Sequence, residues 1–306
     1  MSKAITTDSA LSRLLILVTA TLLAAMAATP AFGQMQITYT GNAGVLLTSG
    51  EDKVLIDSLQ NHTNNFWVRL PQPDLDAMID GVAPFDSVDF ALVTHNHPDH
   101  FNSTRVRSFL GNNPDASFIG PPQVRSVLGP HEQSLDVSPE FQNEILVTGA
   151  SGIEVEVLHM EHFDQFGNDF SRVENFSYLV TMGDVSLLHL GDVDFIEENF
   201  ENFDLANRGI DAVVLPAFNT LLTESNRELI IDQINPRHII AAHLRAGQLA
   251  SETENVRRIY PDATIFTEPL ASITLNPVPE PQALPMLLIG LFFVRVAFRE
   301  KGSRRI

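Results

Sequence analysis

The sequence predicts one α+β domain in which two β-sheets pack together and helices cover their outer faces. Three observations predict it. Apolar runs of strand length recur from Gln36 to Leu275 and interleave with helical segments. No Pro/Gly-rich linker divides that stretch. One buried strand runs straight into a dense group of histidines and an aspartate.

The strands open with Gln36-Ile37-Thr38-Tyr39-Thr40, whose alternation fits a half-buried strand. Gly41 to Gly44 turns the chain into Val45-Leu46-Leu47, and Ser49 to Asp52 turns it again into Lys53 to Asp57, an antiparallel meander. From Asn61 to Asp89, Asn and Pro are frequent and Phe66, Trp67 and Leu70 are scattered. This reads as a surface loop fastened by buried aromatics, the other reading being a partly helical excursion that walls a pocket.

Phe90 to Val93 is a buried strand, and Ser103 is expected to cap a helix running through Leu110. Ala116 to Ile119 follows as a strand, and Pro121 as first residue of a helix ending at Leu128. Ile145 to Val147, Ile153 to Val157, and a hairpin of Phe176–Val180 with Val185–Leu190 supply the next strands. Ala212 to Leu215, Ile239 to Ala242, Ala263 to Phe266 and Ile273 to Leu275 complete them, with helices from Thr223 to Ile234 and from Thr253 toward Tyr260.

The two ends differ from this middle. Lys3 and Arg13 precede an apolar run from Leu14 to about Ala28, and small residues then lead to Gly33. That order predicts a secretory signal peptide over residues 1–33. At the other end, Pro277, Pro279 and Pro281 exclude regular structure, Leu284 to Val294 is almost wholly apolar, and five basic residues follow. Residues 276–306 resemble the PEP-CTERM sorting tail of exported Gram-negative proteins, on Pro279-Glu280-Pro281, the short transmembrane-type segment and the basic terminus. The resemblance implies handling by signal peptidase and an exosortase-type membrane enzyme, transient membrane association, and delivery to the envelope surface or extracellular matrix.

The chain has no cysteine, which excludes thiolate nucleophiles and Cys-rich metal sites. Its formal charge is -19, and both ends are net basic, so the expected domain over 34–275 is more acidic still. Such a surface repels polyanions and argues against nucleic acid as partner.

The chemistry concentrates in Thr94-His95-Asn96-His97-Pro98-Asp99-His100. Imidazole and carboxylate are good ligands for zinc, manganese or iron, and a chain with ten histidines rarely clusters three of them by chance. One loop cannot complete such a site, so distant partners are needed. The candidates are His131, His159, His162, His189, Asp192, His238 and His243. His159 shares the apolar face of Val155 and Val157, whereas His162 lies where a side chain can turn to the site. Asp192 follows a strand and a glycine that permits close backbone approach, and His243 ends a strand at whose far end His238 stands.

This arrangement resembles the metallo-beta-lactamase fold hydrolases, and among them the ascorbate-phosphate lactonase-like branch, over approximately Gln36 to Leu275. The resemblance implies a four-layer αββα sandwich. It also implies two divalent metal ions: His95, His97 and His162 on one, Asp99, His100 and His243 on the other, and Asp192 between them. His159 and His162 remain alternatives for one position. Asp57 is expected to orient the histidine loop from behind. Ser58 stands where a proline often follows that aspartate, and Pro216-Ala217-Phe218-Asn219 replaces a glycine-rich loop, so substrate preference is not inherited.

The expected activity is hydrolysis of a small ester, lactone or phosphoester by water activated between the metals, zinc first among them, with Asp99 or Asp192 moving the proton. The second reading is a non-catalytic exported metal-binding surface or matrix protein.

Overall fold

The computed structural model describes residues 33–60, 66–149, 152–163 and 172–277. The expected signal peptide and sorting tail therefore lie outside the described residues, apart from Gly33 at one end and Asn276 and Pro277 at the other. Among the described residues no helix is long and apolar enough to cross a membrane.

The meander forms as its spacing predicts. β1 (Met35–Gly41), β2 (Gly44–Ser49) and β3 (Asp52–Ile56) pair antiparallel. β4 (Phe90–Leu92) and β5 (Ser117–Ile119) extend the sheet in parallel, and the last strand, Ser272–Leu275, closes the other edge along β1. The second sheet begins with β6 (Glu144–Thr148), β7 (Glu154–Glu161), β8 (Glu174–Met182) and β9 (Val185–His189), all antiparallel. It continues in parallel through β10 (Ala212–Pro216), β11 (His238–Ala242) and β12 (Thr264–Ile265), which leaves Ser272–Leu275 as β13.

Strand alternation decides which side chains meet. Ile37, Leu47, Val54 and Leu92 of the first sheet face Val155, Val157, Tyr178, Leu187 and Val214 of the second in one fully buried core. Burial of each such side chain stabilises the fold by ~1.5–3 kcal/mol before chain entropy is counted. The outward rows pack on helices. Leu46, Leu55 and Ala91 meet α1 (Gln72–Ile79), α2 (Ser103–Asn112) and α3 (Pro122–Leu128). Leu188, Val213 and Ala241 meet α4 (Glu224–Gln233) and α5 (Leu249–Ile259). The result is the expected αββα sandwich.

Several local expectations are corrected. The 61–89 segment is not merely a loop, because α1 forms within it: proline is tolerated in a first helical turn, and Leu75 and Met78 then fall on one buried face. The cap of α2 is Asn102, whose side chain accepts from the Arg105 amide, and not Ser103. Pro121 precedes α3 and Pro122 is its first residue. α5 starts at Leu249 rather than Thr253, and β12 is only Thr264 and Ile265.

Candidate metal centre

Four strands end around one point. His95 follows β4, His162 follows β7, Asp192 follows β9, and His243 follows β11. In the second sheet β7, β9 and β11 share one direction, so their carboxyl ends lie on one edge. Donor atoms of His95, His97, His162 and Asp192 lie within 4.8 Å of one another, as do those of Asp99, His100 and His243. The two groups adjoin: Asp192 Oδ2 is 3.9 Å from His95 Nε2, 3.4 Å from His100 Nε2 and 3.3 Å from His243 Nε2. Asp99 Oδ2 approaches His243 Nε2 at 3.3 Å.

The buried carboxylate of Asp57 organises the loop from behind, as the sequence suggests. It accepts from the Thr94 amide at 2.8 Å and the Thr94 hydroxyl at 2.7 Å, and it meets His100 Nδ1 at 2.7 Å. A proton on His100 Nδ1 leaves Nε2 turned inward. His162 is fixed in the same sense, because its Nδ1 lies 2.8 Å from the Phe163 carbonyl, which can only accept.

The other histidines stay apart. His189 is buried, but its Nε2 donates to the Ala43 carbonyl at 2.8 Å and its Nδ1 accepts from the Gly191 amide at 3.2 Å, so both nitrogens are engaged. His159 bonds the Pro139 carbonyl through Nδ1 and packs between Phe141 and Phe176. His238 is exposed at the start of β11, and His131 lies in the turn after α3.

Electrostatics divides the histidines. Burial, reinforced by neighbouring imidazoles, pushes His95 well below its ordinary value and His97 down to about 4. Burial lowers His162 as well. Burial also works against charge on His100 and His243, but Asp192 with Asp57 outweighs it at His100, and Asp192 with Asp99 raises His243 to about 9. For Asp99 and Asp192 burial opposes ionisation, yet His243 and His100 hold both carboxyls below the usual range. The centre thus presents neutral nitrogens on one side and ionised carboxylates that attract positive charge on the other.

Several contacts escaped the sequence. Asn42 accepts from the His243 amide through its carbonyl at 3.0 Å and donates from its side chain to the Asp99 carbonyl at 3.0 Å, tying two candidate ligands together. Asn175 accepts from the Asp192 amide at 3.2 Å. Trp67 and Phe218 set their rings edge-on against His243, at 4.2 and 4.5 Å between centroids. Asp57 and His243 also adopt left-handed backbone, with φ of 49° and 67°. Such strain costs ~1–3 kcal/mol per residue and gathers at functional sites. No sequence period signals any of these.

The donor set fits a metal. Its atoms are imidazole nitrogens and carboxylate oxygens, and Asp192 Oδ1 is buried with no hydrogen-bond partner among the described residues. A buried carboxylate oxygen left so is costly unless a cation satisfies it.

Known proteins share this architecture. The sequence is 27% identical over 212 residues to a UPF0173 protein of Pyrococcus abyssi, covering 68% of this chain and 83% of that one. It is 25% identical over 251 residues to a UPF0173 metal-dependent hydrolase of Cupriavidus taiwanensis, covering 73% and 79%. Among solved structures, an isothiocyanate hydrolase from Delia radicum gut bacteria superposes with a TM-score of 0.58 at 16% identity, over 79% of this chain and 100% of that chain. A metallo hydrolase from Ignicoccus hospitalis gives 0.55 at 14%, over 79% and 99%. At these identities the superpositions speak for the fold alone. The family model described as the beta-lactamase superfamily domain matches residues 36–243, from the first strand to the last candidate ligand, and the chain belongs to that family.

Proposed function

We propose that this protein is an exported metal-dependent hydrolase that cleaves a small ester, lactone or phosphoester at a dinuclear centre. The observation that carries the reading is the pair of adjoining donor sets, with the Asp192 carboxylate reaching from one into the other. His95, His97 and His162 would hold one ion, Asp99, His100 and His243 the second, and Asp192 would bridge. Zinc suits the nitrogen-rich set best, with manganese or iron as alternatives. Bound there, a metal pair supplies a water acidified toward neutral pH and positive charge facing the substrate oxygen that becomes negative.

The chain's own residues do the rest. Asp57 and Thr94 hold the histidine loop rigid, which keeps the donor atoms convergent. Asp99 is the more open of the two acids, with its side chain 24% exposed against 7% for Asp192, so it is placed to take a proton from water and pass it to a leaving group. Asp192 orients from within.

A relative bearing the name metal-dependent hydrolase supports this reading, as does the resemblance to the lactonase-like branch. The two ends of the sequence support export, with processing by signal peptidase and an exosortase-type enzyme and residence at the envelope surface or matrix of a Gram-negative bacterium. The acidic surface speaks for a small-molecule substrate over nucleic acid.

The test is metal analysis of the purified chain together with wild type, His97→Ala and Asp192→Ala assayed on ester, lactone and phosphoester panels. The expected result is two bound ions and turnover that both variants abolish. Stoichiometric metal with no turnover would leave a non-catalytic metal-binding surface or matrix protein. Absence of metal after replete purification would overturn the proposal. Cytoplasmic retention of a tagged chain would overturn its export half.

A further inference from the structure

Beside His243 a cavity of about 210 Å³ opens between the chain before α1 and the loop after β10. Phe66, Trp67 and Phe218 line it together with His243, Arg245 and Glu252. The walls are built rather than incidental. Trp67 forms a β-bridge with Arg245, the Ala246 amide donates to the Phe66 carbonyl at 2.8 Å, and the Trp67 ring sits edge-on to Phe66 at 4.6 Å. Phe218 is held in turn by a stacked contact with Phe163 at 5.5 Å.

The charge in this cavity decides what it accepts. Besides His243, which belongs to the donor cluster, Arg245 is the one cationic side chain among the described lining residues, and it is spent internally: its Nε donates to one oxygen of the buried Glu252 carboxylate and its backbone amide to the other. An anionic substituent beside Arg245 would find a guanidinium already paired with a buried carboxylate. A flat apolar group would find three aromatic surfaces at no desolvation cost to a charge. The volume is also below the ~300–1,000 Å³ of sites for drug-sized ligands.

We propose that the Trp67–Phe218 cavity is the specificity site for the group beside the scissile bond. It selects a compact, uncharged aromatic or alicyclic substituent on the ester or lactone, and it disfavours an anionic substituent. This rests on the hydrolase reading above and narrows its substrate class. Trp67 and Phe218 act as specificity residues by supplying the apolar walls, and Glu252 acts as a positioning residue by keeping Arg245 from attracting anions.

Trp67 is the sole tryptophan of the chain, so intrinsic fluorescence reports on this cavity directly. The metal-loaded full chain is titrated with benzyl alcohol, a neutral probe that cannot be hydrolysed, and with benzenesulfonate, an anion of similar shape. Saturable fluorescence change is expected for benzyl alcohol, with the sulfonate at least about tenfold weaker. Phe218→Ala should weaken benzyl alcohol about tenfold, and Glu252→Gln should narrow the gap between the probes by freeing the Arg245 charge. Equal binding of the two probes, no saturable change, or unaltered preference in both folded variants would overturn the proposal. Turnover of phenyl acetate in the same preparation separates the two ideas. Turnover without a fluorescence response sinks the specificity site and spares the hydrolase, whereas the probe preference without turnover leaves an apolar binding cavity and counts against the hydrolase reading.

Discussion

Hydrogen-bond partners, more than residue type, sort the histidines of this chain. His189 is as buried as His95, yet a carbonyl and an amide consume both its nitrogens, whereas His162 turns its Nδ1 to the Phe163 carbonyl and its other edge inward. The sequence left His159 and His162 three positions apart as alternatives, and the fold brings only His162 into the cluster. His162→Ala is therefore expected to lose about one equivalent of metal by elemental analysis, and His159→Ala to keep both; the opposite pattern would refute the assignment. Asp57→Asn should weaken metal binding ~10–100-fold in a chelator competition, because the carboxylate that orients His100 and Thr94 would be gone. Charge adds a pH dependence. His243 is raised to about 9 and His100 is raised too, so the metal-free centre carries protons at neutral pH that an incoming cation must displace. Metal binding should release protons at pH 7, and apparent affinity should fall as pH falls. Calorimetry in buffers of different ionisation enthalpy measures the release, and a pH-independent affinity would contradict it.

Among the elements, the turn after β9 shows how local backbone serves the site. Gly191 adopts φ of 65°, and a Cβ there would lie 2.5 Å from Asn175 Oδ1 and 2.8 Å from Thr94 Cβ. The close approach read from Gly191-Asp192 is thus real, and its object is the histidine loop itself. Gly191→Ala should cost about 2–4 kcal/mol in urea denaturation, from the left-handed backbone and the clash together, and should reduce metal content with it. The cap of α2 is a milder case. Asn102→Ala removes one bond to the Arg105 amide and should cost about 1 kcal/mol with metal content unchanged. Strands and helices with clear periods were legible in advance, because pattern is local, whereas the cap of α2 was displaced by one residue. α1 was not legible, since Pro71 and Pro73 mask a helix only two turns long whose stability comes from Leu75 and Met78 against the sheet.

At the scale of the whole molecule, one centre joins both sheets. Candidate ligands from the β4 loop of the first sheet meet those after β7, β9 and β11 of the second, so a bound cation would cross-link the sandwich. Chelation is expected to lower Tm, and saturation at a hundredfold excess over Kd to stabilise by ~2.7 kcal/mol per site, which calorimetric melts with and without metal would test. The sequence by itself determined the layered fold, the acidic charge, the absence of thiol chemistry and the density of donors in His95 to His100. Those features are written in composition, in periods of two and 3.6 residues, and in one short motif. Only the tertiary structure decided that His162 rather than His159 joins the cluster, that Asn42 and Asn175 hold it, and that Trp67 and Phe218 shape the space beside it. Those contacts join residues far apart in the chain, and their energies depend on distances that exist only once the two sheets have packed.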